Sequence, residues 1–198
     1  MLNLNNPVRY SIAEQQHVTS ILKPMGSQGW DDQKKATKNL KNKISTHTLT
    51  EQKCRCAYCE SLLVKGASDI EHIADKGTYG EFCYEPCNLV TACTSCNSPS
   101  NKGTKDTIVH PENRSNYTMN QFTIVHPYLD NPDDHIKYQD KKRIMFDLPN
   151  CTQKGLETIK VFNWDQHWAY LARAINAETR NLTINVLQMV SEIATYKP

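Results

Sequence analysis

Four of the eight cysteines fall into two C-x2-C pairs, Cys56-Ala-Tyr-Cys59 and Cys93-Thr-Ser-Cys96. A C-x2-C turn lets two thiolates reach one ion, and two such turns complete a tetrahedral four-thiolate zinc site. Disulfide frameworks belong to oxidising compartments. The opening stretch MLNLNNPVRYSIAEQQHV has no basic region followed by an apolar one, so it does not read as an export signal. We therefore expect a cytoplasmic chain whose paired cysteines hold structural zinc, rather than a redox couple or a disulfide framework. The two pairs are 33 residues apart, against about 15–20 in ordinary zinc ribbons. The metal must then staple an inserted segment. Cys54, Cys83, Cys87 and Cys151 are left over and read as buried, unreactive thiols.

That inserted segment contains SDIEHIADKG, in which Asp69, Glu71 and His72 are threaded with Ile70 and Ile73. Buried charge is costly unless it is paired or binds a metal. On its own the stretch fits an edge strand with a solvated polar face. Strict strand alternation would send Glu71 and His72 to opposite faces. The two reach one ligand only if the strand ends here and the chain turns, and the Ala74–Gly80 loop with Gly77 and Gly80 makes room for that.

The rest of the chain sets limits. Its 198 residues suit one domain, or a small core with helical extensions, and are enough to bury a real core. With 38% apolar and 22% charged residues it reads as a folded, soluble protein, and no run of 18 apolar residues predicts a membrane span. A net charge of +2 does not announce a nucleic-acid binder, so any basic footprint must be local. One candidate is KKATKNLKNK, where the spacing of Lys34, Lys38 and Lys41 predicts one helix face; an ordinary solvated face is the reading the pattern favours.

The pattern predicts a helix over 11–22 and a longer one over 31–53, capped by Asp31 or Asp32. SLLVKGASDIEHI reads as a hairpin turning through Lys65-Gly66-Ala67, and NLVTAC as a short helix or turn leading to the second cysteine pair. Strand-like runs follow in DTIVH, QFTIVHPYL, HIKYQ and KRIMFDL. A largely helical end begins at Asn163 as N-cap, with Trp164, Trp168, Leu171 and Ile175 on one face. This gives a helical arm over 1–53, a zinc-stapled core over 54–110, and a mixed strand and helix extension over 111–198.

Taken together, CAYCE, DIEHI, NLVTACTSCN and NKG resemble the HNH endonucleases, whose core is the ββα-metal or His-Me finger. The resemblance implies an α+β fold with a zinc-stapled ββα-metal core flanked by N- and C-terminal helices. It implies a phosphodiester hydrolase needing a base, a nucleophilic water and positive charge against the reacting phosphate. On the family pattern His72 is the base and Asn88 orients it by a hydrogen bond. Glu71 and Asn97 hold a catalytic Mg²⁺ or Mn²⁺, Asp69 is a further ligand or the partner of one, and Lys102 contacts a phosphate. Extra residues within Ser98–Ser100 leave both Asn97 and Asn101 as possible ligands. Asp130, Asp134 and His135, in HPYLDNPDDHI, read as turn and cap residues.

The wider layout is similar to the HNH subunit of Septu-like anti-phage defence systems. That resemblance implies a bacterial nuclease working in complex with an SMC/ABC-type ATPase; a ββα-metal site reads backbone geometry more than bases, so DNA is the default substrate and RNA such as tRNA the alternative. Two other classes compete: a zinc-ribbon nucleic-acid-binding module without catalysis, which would have no need of Asp69, Glu71 and His72, and an interaction scaffold whose HNH site has decayed.

Overall fold

The computed structural model describes residues 1–63, 67–119 and 121–179. Its architecture is α+β, with a two-stranded antiparallel sheet between a pair of long helices and an irregular, aromatic-rich second half.

The first helix, α1 (Ile12–Met25), starts where S-x-x-E predicts a capping box. Glu14 N donates to Ser11 Oγ at 3.3 Å, and Ser11 N donates to Glu14 Oε2 at 2.6 Å. A 3₁₀ turn over Gly26–Asp31 carries Trp30 inward, and α2 (Lys35–Glu51) follows. Its N-cap is Lys34, not the expected Asp31 or Asp32; Asp31 ends the 3₁₀ turn, while the Asp32 carboxylate accepts from Lys34 N and Thr37 Oγ1. Lys43 on α2 closes on Glu14 of α1 at 2.6 Å.

Strand β1 (Ser68–His72) pairs with β2 (Leu89–Cys93), from Ser68 opposite Cys93 to His72 opposite Leu89. NLVTAC is therefore a strand, where a short helix or turn was expected. Leu89–Ala92 are buried on both faces, and such an apolar run carries no period to separate strand from helix. The expected hairpin partner of β1 also changes, since Leu62 forms an isolated bridge with Arg55 instead. Most of the expected turn at Lys65-Gly66-Ala67 lies outside the described residues. No helix follows β2: the chain runs through turns from Thr94 to Thr104, where a ββα finger has its helix.

The two faces of the hairpin serve different cores. Ile70, His72, Leu89 and Thr91 face α1, α2 and Trp30. Gln52, at the end of α2, fastens that packing, its Nε2 donating to Thr91 O at 2.7 Å and its Oε1 accepting from Thr91 N at 2.8 Å. Val90 and Ala92 face the larger core, with Tyr58, Ile73, Phe122, Ile124, Phe162 and Trp164.

The four strand-like runs after Gly103 do not become strands. They meet as two isolated bridges, Ile108 with Phe122 and Tyr138 with Phe146. The first ladder does not extend past Thr123, because the next donor, Val125 N, goes to Thr158 Oγ1 at 2.7 Å instead. Short helices follow, α3 (Pro132–His135), α4 (Gln153–Val161) and α5 (His167–Thr179). Asn163 is not the N-cap of α5; it adopts a left-handed φ of 51°, and its amide donates to Ser100 O and Asn101 Oδ1. Trp164 is buried against Phe162, while Trp168, Leu171 and Ile175 leave an exposed apolar stripe on α5. The rest of the expected C-terminal helix lies outside the described residues. Among the described residues no helix is long and apolar enough to cross a membrane.

Candidate active site and metal centre

The sulfurs of Cys56, Cys59, Cys93 and Cys96 all lie within 4.8 Å of one another. Zinc–sulfur bonds of about 2.3 Å in a tetrahedron place sulfurs about 3.8 Å apart, and Cys59 Sγ lies 3.7 Å from Cys93 Sγ. Backbone N–H groups already point at the cluster, Cys93 N at Cys56 Sγ and Cys96 N at Cys93 Sγ, each at 3.4 Å. Such bonds hold ligands in orientation. Burial pushes the Cys56 thiol up, and its hydrogen bond to Cys59 pulls that thiol down. So dense a set of buried and part-buried sulfurs is compatible with a structural zinc site. The leftover thiols behave differently: burial pushes Cys83 up to about 12 and Cys87 up to about 11, which leaves them protonated and inert.

Strand alternation holds to the end of β1, so Glu71 and His72 depart on opposite faces. His72 meets the edge of Trp30 at a centroid distance of 4.5 Å. Its Nε2 lies 3.0 Å from the Cys83 carbonyl, an acceptor, so Nε2 carries the proton. Nδ1 therefore holds the lone pair, and among the described residues it has no hydrogen-bond partner. Burial, with Lys76, Lys102 and Lys41 nearby, drives the imidazole down to about 3 and keeps it neutral at physiological pH. Lys41 also lies over the Trp30 ring, with Nζ 4.8 Å from its centroid.

Asn88 does not bond to His72. Its Oδ1 accepts from Ala74 N at 2.6 Å, and its Nδ2 donates to Ala74 O and Phe82 O. It thus closes the 73–88 loop that presents the Cys83 carbonyl. Behind it stands a chain with a fixed direction. His126 Nδ1 accepts from Tyr128 N and Leu129 N, so its Nε2–H faces Tyr117 Oη at 2.8 Å, and Tyr117 in turn donates to Asn88 Oδ1. His126 is fully buried and burial drives it, too, down to about 3. Nothing local in the sequence marks Trp30, Tyr117 or His126 for these roles; each acts across a long separation.

Glu71 is buried, with Lys102 Nζ 2.6 Å from its Oε1. The ammonium is aimed at the His72 carbonyl, to which it donates, so Oε1 accepts no well-oriented hydrogen bond. Burial raises the Glu71 carboxyl above its ordinary value, with Lys102 opposing. Lys102 is therefore not a surface phosphate contact in this arrangement, since its side chain is 1% exposed and engaged inside. Asp69 is exposed on the Glu71 face. Asn101 is committed to structure, donating to Ser95 O and accepting from Asn163, whereas Asn97 sits part-buried in the turn of the second cysteine pair. Asp130 accepts from His126 N and pairs with Lys154 at 2.6 Å, and His135 bonds Thr152 Oγ1, so both serve turns and caps as expected. As arranged, Glu71 and Lys102 do not fit a divalent ion, because an ammonium already stands at the carboxylate.

No protein-family model matches the sequence, and no solved structure matches. Among curated proteins the chain is similar to the Septu protein PtuB of Bacillus thuringiensis, 28% identical over 141 residues. The match covers 68% of this chain and 47% of that protein, so the chain spans about half the length of the curated relative it matches.

Two predictions follow from the geometry. Cys93→Ser removes one sulfur of the four and should yield insoluble or unfolded protein, because structural zinc contributes folding free energy directly; soluble, well-folded, metal-free Cys93→Ser would exclude the zinc role. The second concerns pH. His72 and His126 sit near 3 when folded and near 6.5 when unfolded. Between those values the unfolded chain binds more protons, so stability is fully present above about 6.5 and is lost as pH falls toward about 3. Each histidine adds a slope of up to about 1.4 kcal/mol per pH unit. The raised Glu71 opposes them, with one group against two. Urea denaturation of zinc-saturated protein between about pH 5 and 6.5 should show rising stability, with a shallower slope in His72→Gln; a flat profile would show that the histidines are not held neutral.

Proposed function

We propose that this chain is an HNH-type endonuclease that hydrolyses phosphodiester bonds in nucleic acid, with DNA favoured. We further propose that it is the nuclease component of a Septu-like anti-phage defence assembly with an SMC/ABC-type ATPase. The observation that carries the nuclease reading is His72, an imidazole fixed by one carbonyl so that its second nitrogen is an unprotonated base, set among lysines. The likeness to the Septu protein PtuB supports the defence role.

In this reading Nδ1 of His72 takes a proton from water as the water oxygen attacks phosphorus. The ester oxygen leaves and is protonated by solvent. An imidazole near 3 is a weak base, but an approaching phosphodiester brings negative charge, which favours the imidazolium and raises its pKa. Lys41 and Lys76 supply positive charge on the His72 side, where the sequence pattern marked only a helix face and a loop. Asn88 contributes by holding the loop that carries the Cys83 carbonyl. The Mg²⁺ or Mn²⁺ that the family pattern implies on Glu71 and Asn97, with Asp69 as a further oxygen donor, does not fit the arrangement seen, because Glu71 leaves β1 on the face opposite His72. Glu71 is held by Lys102, so no step above passes through the ion.

His72→Ala should lower cleavage of plasmid, single-stranded DNA or tRNA by roughly 10²–10⁴-fold, with folding and zinc content unchanged. Cleavage by His72→Ala at the wild-type rate would overturn the HNH assignment, and binding without cleavage by the wild type would favour the zinc-ribbon binding module. The assembly is tested separately. Purified from its native host, the chain should bring an ATPase with it and change in activity when that partner is removed; a lone chain with full, equally selective cleavage would speak against the complex.

A further inference from the structure

From Gln33 to Thr50 the chain carries five lysines and no acidic residue, in a protein whose net charge is +2. Three of them, Lys34, Lys38 and Lys41, follow at i, i+4 and i+7 and so line one flank of α2, beside the buried row of Thr37, Leu40, Ile44 and Thr48. That flank is about 10 Å long. Lys34 and Lys38 are exposed and Lys41 is half-buried, and among the described residues none of the three makes an ion pair. Lys34 and Lys35 bring no gain to the helix itself. They stand at its N-terminal end, where the helix dipole disfavours cations, and its first turn holds no acidic residue. The nearby Asp32 carboxylate is already spent on Lys34 N and Thr37 Oγ1. What the helix leaves open here is its lysine side chains.

The inner end of the row meets the candidate base. Lys41 Nζ donates to Trp30 O at 3.3 Å and lies over the Trp30 ring, whose edge receives His72. Lys76 comes to the same edge from the loop after β1, with the exposed Asp31 carboxylate 3.9 Å from its ammonium. Both Lys41 and Lys76 act on His72 and on the Cys83 thiol beside it. Two elements thus bring cations to one place, and α2 carries the line outward through Lys38 and Lys34. A solvated helix face needs no such convergence. A spaced line of cations ending at an imidazole suits a polyanion whose charges repeat along its length and which must pass that imidazole.

We propose that Lys34, Lys38 and Lys41 hold the phosphodiester backbone of DNA and lead it along α2 to His72, with Lys76 on the far side. This deepens the nuclease reading and rests on it for where the strand leads. Phosphate contacts set position rather than sequence, so the row fixes which bond reaches His72 without choosing the bases.

The test is binding of the full, zinc-saturated chain to a short fluorescent DNA duplex, followed by anisotropy from about 0.05 to 0.2 M KCl without added divalent ion. Each lysine on a phosphate contributes about 1 to the slope of log affinity against log salt. Lys34→Gln with Lys38→Gln and Lys41→Gln should reduce that slope by roughly 2–3 and weaken binding at least about tenfold near 0.1 M salt. Glutamine keeps the helix propensity of lysine. Lys41 also holds Trp30 O, so Lys34→Gln with Lys38→Gln, which leaves that bond in place, guards against a folding loss and should reduce the slope by roughly 2. A charge-matched control, Lys141→Gln with Lys142→Gln and Lys160→Gln, all exposed in the second half of the chain, should keep the wild-type slope. An unchanged slope in the row variants, an equal loss in the control, or no salt-dependent binding by wild type overturns the proposal. So does an unchanged slope together with loss of a co-purifying protein, which would make the row a face for an acidic partner instead. Binding is read without a cut, so failure of the nuclease reading shows separately, as cleavage that His72→Ala does not change.

Discussion

Four sulfurs within 4.8 Å of one another gather pieces of chain that lie far apart in sequence. Cys56 and Cys59 bring the turn after α2, Cys93 brings the end of β2, and Cys96 brings the turns that follow. Closing a loop of that length costs chain entropy, and a metal bond gives that free energy back as folding stability. The backbone is arranged to the same end: Ala57 N donates to Thr91 O at 3.1 Å, so the knuckle lies along β2. Because β1 pairs only with β2 among the described residues, its position follows from that of the cluster. So does Lys102, bonded through its backbone to Cys96 O. Glu71 and Lys102 meet because both are placed relative to the same four sulfurs.

How much of this was legible in the residues depends on the range of the interaction. The cysteine pairs, the Ser11-x-x-Glu14 box and the helical run of α2 are local signals, and the structure keeps them. The mixed helix and small-sheet character was legible too. What failed was pairing and capping chosen at a distance. NLVTAC is apolar throughout and buried on both faces as β2, so its period said nothing. Asn163 has the chemistry of an N-cap, yet its amide goes to Ser100 and Asn101, more than 60 positions away. Asn88 was expected to hold His72 directly; it holds the loop instead, and the carbonyl of Cys83 does the orienting. The partners that set the charge of His72 and Glu71 could not be read from the pattern, because Trp30, Cys83 and Lys102 lie far from them in sequence.

Those partners decide what His72 can do. A neutral imidazole buried beside Trp30 has lost its hydration, and three lysines make protonation harder still. Left alone that is a poor base, which argues for a structural histidine. Two features argue the other way. A purely structural imidazole would be expected to use both nitrogens, as His126 does with Tyr128, Leu129 and Tyr117. His72 uses one. And of the lysines that depress it, Lys41 and Lys76 are groups a phosphodiester would neutralise. On the proposed reading a bound phosphodiester offsets the field of Lys41 and Lys76 and so raises basicity at Nδ1, against the larger effect of burial. The His126–Tyr117–Asn88 chain matters to this because its hydrogen bonds run in one direction and are buried, so the Cys83 carbonyl stays fixed while the charge around His72 changes. Histidine thus appears once in each of the two cores, at His126 with every lone pair and proton committed and at His72 with a lone pair kept back, and that difference is what supports the proposed chemistry at His72.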